Sequence, residues 1–414
     1  MTLRKRLSIT LLASVLGTAC QSLRPPPPPP KPVERTDVAP VVSGDRAFAM
    51  KLLRELRERG GNFTVSPAGL RMSLCMLWAG AQGETEGELA EALGLGGDPA
   101  AIHLANSDLR RAWLEPPKGL ATEVFRVRIA HGFFAQTELQ AGQAFTELLA
   151  KHYGAPFSPK DFQGAADTAR DQINRWVEDR TDSHVAELIA SGGLETGMGL
   201  VLVSAFDFET PWQEPFDPKL SFTGKFTRKD GKAVDAKFMT RSATLEFTET
   251  PDVQLVEIPF AGDSMVLDVL VPRKDLADLE AKLDEKELSH LLAALAPEKV
   301  RLTLPRFAGS PAIELGDLLK KLGIHAAFER TRADFSKMNG KRGGALSRVP
   351  HQVSFRITET ETTDLKADAA KAAPKEAEGK GWAVRADRAF LYLIRDRRRS
   401  ALLALGRLSD PTPR

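Results

Sequence analysis

Between Leu200 and Phe208 the chain reads Leu-Val-Leu-Val-Ser-Ala-Phe-Asp-Phe. This run has neither the spacing of a surface helix nor the alternation of a strand with one wet face. A nearly continuous apolar strand belongs in the middle of a sheet, with both faces covered. The remaining sequence must therefore supply layers that pack over a sheet.

That cover is legible on both sides of the run. Asp45 to Arg57 has amphipathic helical spacing. Ser66-Pro67 opens a second helix toward Gly80, since serine caps a helix and proline suits its first turn. Glu84 to Leu93 and Ala144 to His152 read as helices, and Phe125 to Phe134 as a strand. Ala166 to Leu188 reads as one long helix with Ile173, Trp176 and Val177 on one face. Val253 to Pro272 reads as two strands around a Gly262-Asp263 turn. Ile313 to Leu322 reads as a helix stopped by Gly323. Phe390 to Ile394 and Leu402 to Leu405 form a last strand pair. From about Gly44 to Leu408 there is no composition break, so the pattern predicts one large α+β domain built around a sheet. Its 414 residues are 42% hydrophobic, enough for a large core, and a net charge of +2 favours neither nucleic acid nor an acidic substrate.

Ahead of this domain the sequence has a different character. Arg4, Lys5 and Arg6 precede a short apolar run from Leu7 to Leu16, too short for a membrane span. It ends in Leu16-Gly17-Thr18-Ala19-Cys20, which resembles a bacterial lipobox, although Gly17 stands where leucine is usual. The expectation is an export signal over 1–20, with Cys20 as a lipid attachment site. The protein would then be anchored to the bacterial outer membrane or cell surface, or secreted. Residues 21–42 form a proline-rich tether. Its run Pro25 to Pro30 favours polyproline II, a stiff spacer of about 3 Å per residue. The remaining cysteine, Cys75, sits among Leu74, Met76 and Leu77 and reads as a small buried hydrophobe.

A set of short segments, in order, carries a resemblance. It opens with Asn62-Phe63-Thr64-Val65-Ser66-Pro67 and Gly80-Ala81-Gln82-Gly83-Glu84-Thr85. Ile173-Asn174-Arg175-Trp176-Val177, Leu202-Val203-Ser204-Ala205 with Trp212, and Glu257-Ile258-Pro259-Phe260 follow. Leu304-Pro305-Arg306-Phe307, Val349-Pro350-His351, Ala386-Asp387-Arg388 and Gly406-Arg407 complete it. Together these make the domain, placed at 43–410, resemble the serpin family over most of the chain. The resemblance implies an α+β serpin fold with about three β-sheets, eight to nine helices and an exposed reactive-centre loop. It also implies the function: a serine-type endopeptidase inhibitor acting as a suicide substrate, not an enzyme. A protease cuts the loop and is trapped as a covalent acyl complex while the loop inserts into the central sheet. No cofactor or metal is expected. The expected partner is a trypsin-like serine protease, the membrane is reached through Cys20, and the chain is a monomer that does not bind nucleic acid.

The resemblance also assigns residues. Ser66, Pro67, Ser204, Trp212 and His351 fall in the region that controls sheet opening. The family usually has asparagine at Ser204, tyrosine at Asp207 and a second serine at Gly69. Ser204 offers His351 one hydroxyl in place of an amide, so a water bridges the two or the contact is absent. The reactive loop spans about 359–384, with Glu359, Glu361, Thr362, Thr363 and Asp364 at its hinge. Counting forward from Glu359 places the scissile bond at Lys375-Glu376. Counting back from Phe390 lands nearer Glu378, and Lys371, Lys380 and Arg385 also remain. The hinge departs from inhibitory relatives: Glu361 stands where they carry glycine. Alternation would turn Asp364, Lys366 and Asp368 inward, which is costly for charges. A bulge near Thr360-Glu361 would instead turn Thr363, Leu365, Ala367 and Ala369 inward. The charged hinge supports the alternative of a non-inhibitory serpin that is only cleaved, or that acts as a binding protein.

Overall fold

A computed structural model describes residues 37–360 and 381–412. The run that constrains the fold becomes the strand Leu200–Glu209, all but its last residue buried. It lies inside a seven-stranded sheet. On one side it pairs antiparallel with Arg126–Gln136, and on the other it pairs parallel with Pro350–Ile357. Phe307–Ala308 and Phe157–Lys160 flank these strands. Ile313–Glu314 and Leu346–Arg348 add short pairings to Pro350–Ile357 and Leu200–Glu209. Leu200, Leu202, Phe206 and Phe208 point into the main core. Val201, Val203 and Ala205 point into a smaller core with Ile173 and Val177. Cover on both faces is the physical reason the run has no polar alternation.

The other sheet has nine strands, and Ala233–Glu249 is its 17-residue spine. That strand pairs with Phe222–Thr227, Val253–Pro259 and Ala296–Pro305. Its length joins two regions that would otherwise count as separate sheets. The about three sheets implied by the resemblance are thus two continuous hydrogen-bonded systems among the described residues. Nine α-helices surround them, and none is long and apolar enough to cross a membrane among the described residues.

Most sequence-derived elements recur with shifted ends. The first helix begins earlier, at Ala39, with Pro40 in its first turn, and ends at Leu56. Pro67–Gly80 and Gly83–Leu93 are helices as read, and Val253–Pro259 and Met265–Pro272 are the two expected strands. The helix after Gly142 runs over Gln143–Leu148, then widens into a π turn, Leu149–Tyr153. The last pair extends over Phe390–Asp396 and Leu402–Leu408.

Two readings need correction. The helix from Ala166 stops at Arg180, well short of Leu188, because Asp182 and Ser183 adopt left-handed backbone, φ 52° and 63°. Val185, Leu188 and Ile189 keep the apolar pattern going because an irregular segment buries them. Asn174 holds that segment: its amide donates to the Ile189 carbonyl (2.8 Å) and accepts from the Ile189 amide (2.9 Å). Likewise Ile313–Leu322 is not one helix. Ile313–Glu314 is a short strand, and only Gly316–Lys321 is helical. The Glu314 carboxylate accepts from the amides of Gly316 (3.1 Å) and Val349 (2.8 Å), fixing the turn between them. The helix Pro99–Leu114, capped by Asp98, was not read from the sequence.

Candidate functional site

The site lies along the seam where Leu200–Glu209 and Pro350–Ile357 run parallel, from His351 opposite Ser204 to Phe355 opposite Phe208. On the opposite flank of the same strand, His131 stands in register with Ser204. Three polar residues thus cross three strands in one row, each at most 2% exposed.

The row meets the first turn of the helix Pro67–Gly80. Ser66 is its N-cap, its hydroxyl accepting from the Gly69 amide at 3.1 Å, and Pro67 takes the first helical position. The Ser66 amide donates to His351 Nε2 at 2.8 Å. An N–H aimed at Nε2 leaves the proton of the neutral ring on Nδ1. Burial pushes His351 down to about 4, so it is neutral at physiological pH. Ser204 Oγ and both ring nitrogens of His131 have no hydrogen-bond partner among the described residues, whereas the other side of the His351 ring is held by the Ser204 backbone. The Ser204 hydroxyl makes no direct hydrogen bond to His351. Burial, followed by the nearby charge of Arg110, drives His131 down to about 3.

Gly69 closes this corner. A Cβ there would lie 2.7 Å from Ser66 Oγ and 3.5 Å from His131 Nε2. The serine usual at this position in the family would therefore crowd the cap and stand beside His131. Ser66, Pro67, Ser204 and His351 lie together at this corner. His131 was missed, because one histidine within Phe125 to Phe134 carries no signal until strand register is known.

Trp212 lies farther along the seam and serves two roles. Its ring stacks on Phe260 at 4.7 Å and meets Phe216 edge-on at 5.6 Å. Its Nε1 donates to the Thr358 carbonyl at 2.7 Å, just past the end of Pro350–Ile357. Glu359 follows, fully buried. Arg306 holds its carboxylate, Nε to Oε2 at 2.9 Å and an Nη to Oε1 at 2.8 Å, and Ser221 Oγ donates to the same group. The Phe216 amide also donates to the Glu359 carbonyl. The expected hinge residue is thus a clamped carboxylate, and its partners Arg306 and Ser221 were missed because they sit far away in sequence.

Asp207 differs from the family in a way the fold makes use of. It is 1% exposed, and it pairs with Arg128 at 2.5 Å and with His184 Nδ1 at 3.0 Å. Burial raises its carboxyl pKa despite these partners. Arg128 also reaches Asp182 at 2.9 Å, tying the segment after the helix Ala166–Arg180 to the sheet. Trp176 is a packing residue, edge-on to Phe134 at 5.3 Å. Cys75 is buried, and burial pushes its thiol up to about 11. Among the described residues, no group of three or more His, Cys, Asp or Glu side chains could hold a metal ion.

The remaining sequence-derived assignments lie outside the described residues. These are Cys20, the hinge positions Glu361, Thr362, Thr363 and Asp364 with the facing question at Leu365, Lys366, Ala367, Asp368 and Ala369, and the scissile candidates Lys371, Lys375, Glu376, Glu378 and Lys380. Arg385 is described, and it sits in the edge strand Trp382–Arg385, paired parallel with Ala296–Pro305.

Comparison with known proteins agrees with this architecture. The family model described as Serpin (serine protease inhibitor) matches residues 43–411. Serpin B8 of Bos taurus is 30% identical over 379 residues, covering 88% of this chain and 97% of that protein. The human leukocyte elastase inhibitor is 27% identical, covering 89% of this chain and 99% of its own. Among solved structures, human thyroxine-binding globulin superposes with a TM-score of 0.80 at 25% identity, covering 91% of this chain and 100% of that one. The thermophilic serpin tengpin in its native state gives 0.77 at 20% identity, covering 89% of this chain and 94% of that one.

Proposed function

The chain belongs to the serpin family, and from that membership we propose that it inhibits a serine-type endopeptidase as a suicide substrate rather than catalysing a reaction. The observation that carries the proposal is the seam. Two parallel strands meet along a row of buried polar groups, not all of them partnered, and one of the strands, Pro350–Ile357, leads directly toward 361–380. A segment that turns back after Glu359 runs antiparallel to both strands. Parting the seam therefore offers it a ladder on each side.

In this reading the target's serine attacks the Lys375 carbonyl and forms an ester. The Lys375–Glu376 peptide bond breaks, and the new amine on Glu376 leaves with a proton. Insertion of the cut loop carries the esterified protease away before water can release it. Lysine before the bond suits a trypsin-like pocket. Residues 1–42 suit export and attachment of a monomer to a membrane through Cys20: a basic start, a short apolar run, a cysteine after small residues and a stiff proline spacer.

A second reading rests on Asp364, Lys366 and Asp368, charges that alternation would turn inward. In it the loop is cut without trapping, and the protein acts by binding. Thyroxine-binding globulin, a protein of the same fold, is described as complexed with thyroxine, which shows that the fold serves a binding role in that protein.

Incubation with trypsin-like proteases and denaturing electrophoresis separate the readings. A covalent band at the summed mass supports inhibition, and a shortened chain alone supports the second reading. Melting intact and loop-cut protein tests insertion. If the cut form melts no higher than the intact one, the fold has no lower state to reach and the inhibitory reading fails. Mass spectrometry of the cut protein locates the bond.

A further inference from the structure

Away from the seam, a cavity of 510 Å³ opens between the ends of Pro67–Gly80 and Pro99–Leu114 and the π turn Leu149–Tyr153. Its size is that of a small-molecule site. Trp78, Ala79, Pro99, Ala100, Leu104 and Leu148 form apolar walls, and its rim carries Lys151, Lys337 and Glu86. Lys337 is already paired with Glu86 at 2.6 Å. Lys151 has no ion-pair partner among the described residues, so one cation at the rim is uncompensated.

The polar groups in the walls point to the same kind of ligand. Trp78 is more than nine-tenths buried, and its Nε1, which can only donate, has no acceptor among the described residues. His152 turns toward the His103 backbone, so its ring is not a free partner for a ligand. His103 is engaged with the Tyr153 hydroxyl at 2.6 Å, and burial holds its ring neutral, down to about 4. An apolar cavity with a free ammonium at its mouth suits a ligand with an apolar body and a negative head. A cationic ligand would meet Lys151, and the carboxylate among the lining residues, Glu86, is already taken.

We propose that this cavity is a binding site for an amphipathic monocarboxylate, its apolar body between Trp78, Leu104 and Leu148 and its carboxylate beside Lys151. The chemistry is shared by medium-chain fatty acids and by bicyclic aromatic acids, so the test uses one of each. The site is separate from the reactive loop and does not depend on whether the chain inhibits a protease.

Titration calorimetry of the full chain with decanoate, 2-naphthoate and decanol tests it. The expected result is saturable one-to-one binding of at least one carboxylate, with decanol weaker. A chain preference for decanoate identifies the fatty-acid source, and a preference for 2-naphthoate the aromatic one. Lys151→Ala weakens the carboxylate by about fivefold, the upper range for one partly exposed ion pair, and leaves decanol unchanged. Leu104→Trp fills the cavity and abolishes binding. Should that variant melt below the parent, Ala100→Phe, at an exposed wall position, fills the mouth instead. The proposal is overturned by absence of saturable binding, by decanol binding as tightly as the carboxylates, or by carboxylate binding that persists in both Lys151→Ala and the cavity-filling variant.

Discussion

The seam between Leu200–Glu209 and Pro350–Ile357 is fastened in opposite ways at its middle and at its far end. At the far end the Glu359 side chain is fully engaged: Arg306 grips its carboxylate in a fork, Ser221 donates to it, and Trp212 ties down the neighbouring Thr358 carbonyl. In the middle, His131, Ser204 and His351 share a row, and neither the Ser204 hydroxyl nor either ring nitrogen of His131 has a partner among the described residues. A buried polar group without a partner costs about 1–3 kcal/mol, whereas a well-formed buried pair is expensive to break. On the proposed inhibitory reading, the difference marks where the sheet would give way. The middle carries a standing cost that parting the strands would relieve by admitting water, while the end near the loop resists. The inhibitor proposed above, whose sheet would open only once its loop is cut, needs both properties.

The strongest way to break this comparison is at the clamped end. Arg306→Ala leaves the Glu359 carboxylate buried without its counter-charge and is expected to lower stability by about 3–5 kcal/mol. Urea denaturation measures it, and a loss no larger than that of a surface substitution would remove the clamp from the argument.

Next in size is the pH response of the middle row. His131 and His351 fall to about 3 and about 4 in the fold, against about 6.5 unfolded. Between those values the unfolded chain binds more protons, so stability is full above pH 6.5 and declines as pH falls toward 4. His131 alone should contribute on the order of 3 kcal/mol across that window. Asp45 works the other way. Burial raises it to about 6, so its contribution is present at low pH and lost as pH rises through 6. It cancels when the pH profile of His131→Asn is subtracted from that of the parent. A difference profile flat between pH 6.5 and 4 would contradict the assignment of His131 as a buried neutral ring.

Smaller effects sharpen the picture. Ser66→Ala removes the helix cap but keeps the backbone amide that donates to His351, and should cost about 1 kcal/mol by thermal melting. Ser204→Ala deletes a hydroxyl that satisfies nothing, and should be neutral or stabilising by up to about 1 kcal/mol. A clear loss of stability in Ser204→Ala would mean the hydroxyl is paired after all, and the contrast between middle and end would collapse.

Much of the scaffold was legible before any coordinates. Ser66-Pro67 announced a capped helix because capping is a contact between near neighbours, and Leu200–Glu209 announced its central place because double burial leaves a one-dimensional mark. The helix after Ala166 was read too long for the complementary reason: Val185 and Leu188 are apolar because the segment is buried, and burial does not require a helix. Asp207, noticed only as a departure, proved to be the hub of a cluster with Arg128 and His184. Arg306 and Ser221 lie 53 and 138 residues from Glu359, beyond the reach of any local pattern.

By itself, then, the order of residues determined the family, the central strand, the capped helix and the positions where this chain departs from its relatives, since these depend on local chemistry and on which side chains avoid water. Only the tertiary structure decided that Ser204 faces His131 as well as His351, and that Glu359 is held rather than free. Strand register and long-range ion pairs arise when distant segments are brought into one core, and nothing in either segment alone specifies its partner.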